Sequence, residues 1–277
     1  MQRFNIYDDR SGEVSNNIFP LHKKWRMRID LGRDAIGYGN ELPDSQWVFN
    51  MLKQTYLDNS KRPAEKLAKV RTDLWGDSAT AAQNRLRLYF YLQWPLIYAD
   101  ILKAQNTLSE VDAIEAGWDI YTLLYLNQRQ VEAASAADWP TVKANLGFST
   151  YSSKPSTNSA ADPLGYFPYH DYLLVALSLI TGKDQTAVFD FWGVQTSQAG
   201  RDQVAALKDA IGSPLTAQPV KFYATRCSDD FRGYTSVDMA QANPAFPWPN
   251  EFKLDNNDSQ AAGKQRAHDT YCKSARN

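Results

Sequence analysis

Apolar residues recur at helical spacing over most of this chain, and this periodicity restricts the possible folds more than any other feature. One apolar set follows intervals of 3, 4, 3 and 4 residues: Val111, Ile114, Trp118, Tyr121 and Tyr125. The most apolar stretch, residues 79–104, has the same helical spacing. The sequence contains no repeat of fixed period and no alternation of strand and helix patterns. The chain is therefore predicted to be mainly α.

Local signals predict where some of these helices begin and end. Asp44 is expected to cap one helix, and Thr107 with Glu110 three residues later is typical of a capping box before another. Pro95 lies within the most apolar stretch and is expected to kink or break its helix. Ser197 is expected to cap a last helix that continues to residue 211.

Two regions are expected along the chain. Residues 1–217 form the helical part, which includes a loop insertion at about 138–168, where Pro, Ser, Asn and Gly accumulate. Residues 218–277 are predicted to contain one short strand at 220–224 and an otherwise irregular tail.

Charge and hydropathy exclude two classes of protein. The chain of 277 residues has 30 basic and 31 acidic residues, a net charge of -1, so its overall charge does not favour nucleic-acid binding. No apolar run approaches the length of a transmembrane helix. Aromatic residues make up 13% of the chain, which suits either a thick core or a cleft that faces carbohydrate.

Both cysteines, Cys227 and Cys272, lie in the tail, and their spacing matches no metal-binding motif. A disulfide between them would close a loop rich in Pro, Gly, Asn and Asp and would contribute on the order of 4 kcal/mol. The alternative is a pair of free thiols. A disulfide would indicate a protein that is exported from the cell.

Physical inspection finds no complete catalytic motif. The three histidines are far apart in sequence, and the chain contains no HExxH, no nucleophile elbow and no phosphate-binding loop. Composition and periodicity alone indicate only a helical domain.

Several segments together resemble a known enzyme family. Residues 12–21 read Gly-Glu-Val-Ser-Asn-Asn-Ile-Phe-Pro-Leu, and residues 88–93 read Leu-Tyr-Phe-Tyr-Leu-Gln. Three further segments follow: Asp-Tyr-Leu-Leu at 171–174, Ser-Leu-Ile-Thr-Gly-Lys-Asp at 178–184 and Val-Phe-Asp-Phe-Trp-Gly-Val at 188–194. In this order, they resemble the C-terminal half of the catalytic region in enhancin-like, mucin-degrading zinc metallopeptidases of the gluzincin type.

The beginning of the tail indicates which branch of this family the chain resembles most. Residues 221–230, Lys-Phe-Tyr-Ala-Thr-Arg-Cys-Ser-Asp-Asp, are most similar to the immunomodulating metalloprotease branch, whose members are exported bacterial O-glycopeptidases. The resemblance implies that this chain is the helical C-terminal subdomain of a secreted or cell-surface zinc endopeptidase. Its expected substrate is an O-glycosylated, mucin-like protein.

The resemblance assigns one metal ligand, Glu13, which matches the glutamate of the family's G-x-E-V-x-x-N pattern. In this family an HExxH helix supplies two His ligands and the general base, and this segment would lie upstream of Met1. A lone carboxylate cannot hold zinc tightly. The resemblance therefore implies that the chain binds zinc only together with the missing N-terminal catalytic half, and that alone it is inactive.

Three other residues are weaker candidates for substrate or supporting contacts. Asn17 lies four residues after Glu13 and could donate a hydrogen bond near the metal, or it could be a structural cap. His170, beside several aromatic residues, could contact a glycan or pack among those rings. Trp192 could stack on a sugar, although a core role is more common at the end of an amphipathic helix.

A second function from another class is compatible with the same sequence. The chain could be a non-catalytic helical module of an exported bacterial protein that binds a glycan or a protein. In that case Glu13 would only stabilise the N-terminus of its helix, and aromatic residues such as Trp248 would make the recognition contacts.

Overall fold

The fold is mainly α, as predicted. A computed structural model describes residues 15–31, 45–76, 81–155, 170–225 and 234–239. In chain order the helices are α1 Ile18–Leu31, α2 Ser45–Tyr56, α3 Pro63–Trp75, α4 Ala81–Gln105, α5 Glu110–Ala133, α6 Trp139–Val142, α7 Asp171–Thr181, α8 Thr186–Phe191, α9 Gln198–Ala206 and α10 Lys208–Ile211. The strands are β1 Lys183–Asp184, β2 Thr216–Ala217, β3 Lys221–Thr225 and β4 Tyr234–Asp238.

The long helices α4 and α5 form the most extensive helix pair of the fold. Their close approach depends on Gly117 of α5, where a Cβ atom would collide with the carbonyl oxygen of Pro95 and press on Ala99. A residue with any side chain at this position would push the two helices apart.

Pro95 does not break α4, which was one of the two predicted outcomes, a kink or a break. The helix runs without interruption from residue 81 to residue 105. Proline has no N–H to donate to the carbonyl group of Tyr91, four residues earlier. The Tyr121 hydroxyl, from α5, donates a hydrogen bond to that carbonyl instead. Because the neighbouring helix supplies the missing donor, the sequence signal for a break is overridden by packing.

Two further local predictions need correction. The N-cap of α5 is Ser109, whose hydroxyl accepts a hydrogen bond from the Asp112 N–H at 3.1 Å; Thr107 lies outside the helix and Glu110 is its first residue. The sequence analysis also missed α3. That helix begins with Pro63 and is capped by the Glu65 carboxylate, which accepts the Arg62 N–H at 2.8 Å.

The last helical segment begins as expected. The Ser197 hydroxyl accepts the Gly200 N–H at 3.1 Å and so caps α9. The predicted single helix to residue 211 is divided into α9 and α10, and it ends at Gly212 in the left-handed conformation.

The core joins β3 to the helices. Phe222 and Tyr223 are completely buried, and the Phe222 ring stacks on Tyr89 of α4 at 5.4 Å between centroids. The antiparallel partner of β3 is β4, in a region where the sequence predicted irregular structure. No helix in the described part of the chain has the length and apolar character needed to cross a membrane.

Candidate functional site

The structure describes some of the predicted site residues. Asn17, His170 and Trp192 lie within the described ranges. Glu13, Cys227 and Cys272 lie outside them, as does Trp248, so the proposed metal ligand and the proposed disulfide remain predictions.

The chain segment just after Glu13 leads into α1. Ser15 and Asn16 are helical, Asn17 forms a turn, and α1 continues from Ile18. The Asn17 carbonyl accepts the Leu21 N–H at 3.2 Å, which joins this turn to the following helix. The Asn16 side-chain oxygen is buried and has no hydrogen-bond donor in the described structure. An unsatisfied buried acceptor has a free-energy cost, and here it lies three residues from the predicted ligand.

Three side-chain contacts hold α1 against α5. The Phe19 ring stacks on Tyr125 at 5.8 Å, and the His22 ring stacks on Trp118 at 4.9 Å. One turn later, the Arg26 guanidinium is paired with Glu115. Phe19 nevertheless remains 48% exposed. These three contacts fix the position of α1, and α1 in turn fixes the position of the turn at Asn17.

The surroundings of His22 favour the neutral form of its imidazole. Partial burial lowers its pKa below 6.5, and the nearby Arg26 guanidinium lowers it further, against the opposing effects of Asp119 and Glu115. A neutral ring can stack on Trp118 without the desolvation cost of a buried charge.

His170 lies in the protein interior at the N-terminal end of α7. Its backbone N–H donates a hydrogen bond to the Gln195 carbonyl at 2.8 Å, and the residue is 6% exposed. Burial lowers the pKa of the imidazole from 6.5 to about 4. The side chain is therefore neutral near pH 7.

Trp192 is also buried, being 1% exposed. Its ring contacts Phe90 and Phe222 at 6.0 and 6.2 Å, and its carbonyl accepts the indole N–H of Trp75 at 2.8 Å. These buried contacts favour a core role for Trp192, one of the two roles predicted from the sequence. They disfavour stacking on a sugar. These contacts join His170 to Gln195 and Trp192 to the aromatic core.

The residues within the described ranges do not assemble a metal site by themselves. Those ranges contain no group of three or more His, Cys, Asp and Glu side chains that could hold a metal ion. A zinc site with three protein ligands would therefore need at least one ligand from outside the described residues.

Gln93, the last residue of the aromatic segment at 88–93, has a role that its sequence pattern did not predict. Its side-chain amide pairs with both backbone groups of Tyr223: the N–H donates to the Gln93 oxygen at 2.8 Å, and the carbonyl accepts from the Gln93 nitrogen at 3.0 Å. Asp100, two turns later, accepts the Tyr223 hydroxyl at 3.1 Å and Lys221 at 2.9 Å. A lone amide in an apolar helical run is the signal that could have identified this link between α4 and β3.

Comparison with known proteins supports the resemblance. No model of a protein family matches the chain. The chain is 36% identical, over 253 residues and 90% of its length, to the immunomodulating metalloprotease of Pseudomonas aeruginosa, and it covers 24% of that protein.

Solved structures give the same relationship. The IMPa metallopeptidase from Pseudomonas aeruginosa superposes with a TM-score of 0.69 at 36% identity, over 89% of this chain and 24% of that one. IMPa metallopeptidase in complex with T-antigen matches with a TM-score of 0.70, and IMPa in complex with an O-glycopeptide with 0.69. In both complexes the identity is 36%, and the match covers 89% of this chain and 25% of the other. In sequence and in fold, this chain is therefore related to the immunomodulating metalloprotease, of which it spans about a quarter.

Proposed function

We propose that this chain is the helical part of a zinc endopeptidase that cleaves O-glycosylated, mucin-like proteins. The observation that carries the proposal is the 36% identity to a metalloprotease over 90% of the chain, in which the Gly-Glu-Val-Ser-Asn-Asn segment precedes α1. The substrate class follows from a related structure that holds an O-glycopeptide. The same relationship suggests an exported bacterial protein.

In the proposed site Glu13 is the one zinc ligand from this chain. Two histidines and a general base would come from an upstream HExxH segment, and zinc, when bound, would supply Lewis-acid chemistry at the scissile carbonyl. The contribution of this chain is positional. The contacts of α1 with α5 hold the turn at Asn17, which follows Glu13 by four residues in the sequence.

Asn17 is proposed to support this site by a hydrogen bond close to Glu13. His170 and Trp192 are proposed to stabilise the interior of the helical region. We also propose that the chain is divided into a helical region at 1–217 and a tail at 218–277. A disulfide between Cys227 and Cys272 is proposed to stabilise the tail. Without the upstream segment the chain is expected to be inactive, because the general base of the proposed mechanism would come from that segment.

The test is cleavage of an O-glycosylated mucin by the chain alone and by the chain produced with the segment encoded upstream of Met1. We expect cleavage only from the longer protein, and only of a substrate that keeps its O-glycans. The matched control is the same substrate after enzymatic removal of the glycans. An upstream reading frame without an HExxH, or a longer protein that does not cleave mucin, would contradict the proposal.

A further inference from the structure

The side chain of Asn16 has an acceptor atom that lacks a donor. Asn16 is helical, lies just before α1 and follows Glu13 by three residues in the sequence. Its side-chain oxygen is buried, and no donor in the described part of the chain bonds to it. A buried amide oxygen without a hydrogen bond has a free-energy cost. Such groups are rare in native proteins, so this one needs a physical explanation.

The following turn of the helix does not supply the donor. Elsewhere in this fold a polar side chain before a helix accepts an N–H of the next turn, as the Ser109 hydroxyl does at 3.1 Å. After Asn16, the residue at position 20 is proline, which has no N–H, and the Leu21 N–H is donated to the Asn17 carbonyl at 3.2 Å. A donor to the Asn16 oxygen therefore has to come from outside the residues that the structure describes.

The proposed zinc site would bring a suitable donor to this region. A neutral histidine binds zinc through one ring nitrogen, and the N–H of the other nitrogen almost always donates to an oxygen acceptor. The Asn16 oxygen is such an acceptor and carries no charge. Three residues of chain span at most about 11 Å, so Asn16 is close to any histidine that shares a zinc ion with Glu13.

We propose that the side-chain oxygen of Asn16 accepts the N–H of a zinc-binding histidine and so positions that imidazole for the metal. The inference rests on the proposed function, because this histidine belongs to the upstream segment. The hydrogen bond determines which ring nitrogen carries the proton and how the ring is oriented. Asn16 is a positioning residue in this role, in addition to the contact proposed for Asn17.

The zinc affinity of the protein produced with its upstream segment tests this role. Affinity is measured by competition with a chelator for the wild-type protein, Asn16→Leu and Asn16→Asp. Leucine is similar in size but has no acceptor, so we expect zinc affinity to fall by about 10–100-fold. Aspartate keeps an acceptor oxygen and should restore at least the wild-type affinity. The matched control, Asn106→Leu at an exposed position just after α4, should leave the affinity unchanged.

The chain without the upstream segment gives a prediction of opposite sign. There the Asn16 oxygen has no donor, so replacing it with an apolar group removes an unsatisfied acceptor. Asn16→Leu should therefore leave the free energy of unfolding unchanged or raise it, as measured by urea denaturation. A loss of stability in this chain beyond that of Asn106→Leu would show that the chain itself supplies the donor, and would overturn the proposal.

The outcomes separate this inference from the proposed function. Unchanged zinc affinity in Asn16→Leu, together with loss of zinc in Glu13→Ala, would overturn the role of Asn16 and leave the peptidase proposal intact. Failure of Asn16→Asp to restore the affinity lost in Asn16→Leu would also overturn it, because the role requires only an acceptor. A longer wild-type protein that binds no zinc would overturn both.

Discussion

At the scale of single residues, the Gln93 amide replaces a strand partner for β3. Its oxygen and nitrogen pair with the N–H and the carbonyl of the completely buried Tyr223, as a neighbouring strand would. Both hydrogen bonds lie in the buried core. This one side chain therefore joins the longest helix to the strand that completes the core.

Gln93→Leu is expected to lower the free energy of unfolding by about 1–3 kcal/mol, since two hydrogen bonds to the buried strand β3 are lost, at roughly 0.5–1.5 kcal/mol each. Urea denaturation followed by circular dichroism measures the loss. Gln130→Leu, an exposed position on α5, is the matched control and should change stability little. Equal effects of the two substitutions would contradict the role assigned to Gln93.

His170 is expected to make stability depend on pH. Because its pKa falls from 6.5 to about 4 on folding, the unfolded chain takes up the proton more readily than the folded chain. The contribution is complete above pH 6.5 and is lost as the pH falls towards 4, by an amount on the order of 3 kcal/mol.

The check on His170 is the midpoint of urea unfolding between pH 7 and pH 4 in the wild-type chain and in His170→Gln. The variant, which cannot titrate at this position, should lose less stability over this interval than the wild-type chain. Parallel pH profiles would show that another group causes the loss.

At the scale of elements, the pairing of α4 with α5 explains why Pro95 is tolerated. The Tyr121 hydroxyl satisfies the carbonyl of Tyr91, and Gly117 allows the close approach on which this hydrogen bond depends. Neither feature is visible in the sequence of α4 alone. The sequence of α4 alone therefore could not show that the helix continues past Pro95, because the compensating donor comes from another helix.

Gly117→Ala tests this contact between helices. Alanine is the better helix former by about 1 kcal/mol, so local propensity alone predicts a gain in stability. We expect a net loss instead, on the order of 1–3 kcal/mol, because the new methyl group collides with the Pro95 backbone. Differential scanning calorimetry should show a lower Tm than for Thr122→Ala on the exposed face of the same helix. A rise in Tm would contradict the close approach.

The helical elements were largely predictable, and the reasons for the misses are physical. Periodic apolar spacing predicted α4 and α5, and Ser197 gave the start of α9. Helix α3 was missed because its capping interaction uses an Arg62 backbone donor and a Glu65 side chain, not a conventional capping residue. The partner strand β4 was missed because a short strand depends on tertiary pairing more than on its own residues.

Site prediction reached its limit for a related reason. Glu13 could be assigned only by resemblance, because one carboxylate has no distinguishing spacing of its own. The roles of Gln93 and of the α1–α5 contacts depend on residues far apart in sequence, which periodicity cannot bring together.

At the scale of the whole molecule, the chain spans about a quarter of the immunomodulating metalloprotease to which it is related. The structure describes a helical body that positions α1, while the proposed ligand lies just before it. The proposed enzyme therefore needs a second part to complete the metal site, and the central claim is that Glu13 is the residue through which this chain takes part.

The most direct test is the zinc content of the protein produced with its upstream segment, measured by elemental analysis. The wild-type protein is compared with Glu13→Ala. The control variant is Glu110→Ala, on the exposed first turn of α5. The account predicts about one zinc per molecule in the wild-type protein and in the control, as for a three-ligand catalytic site, and severe loss of zinc in Glu13→Ala. Full zinc occupancy in Glu13→Ala, or no zinc in the longer wild-type protein, would contradict the account.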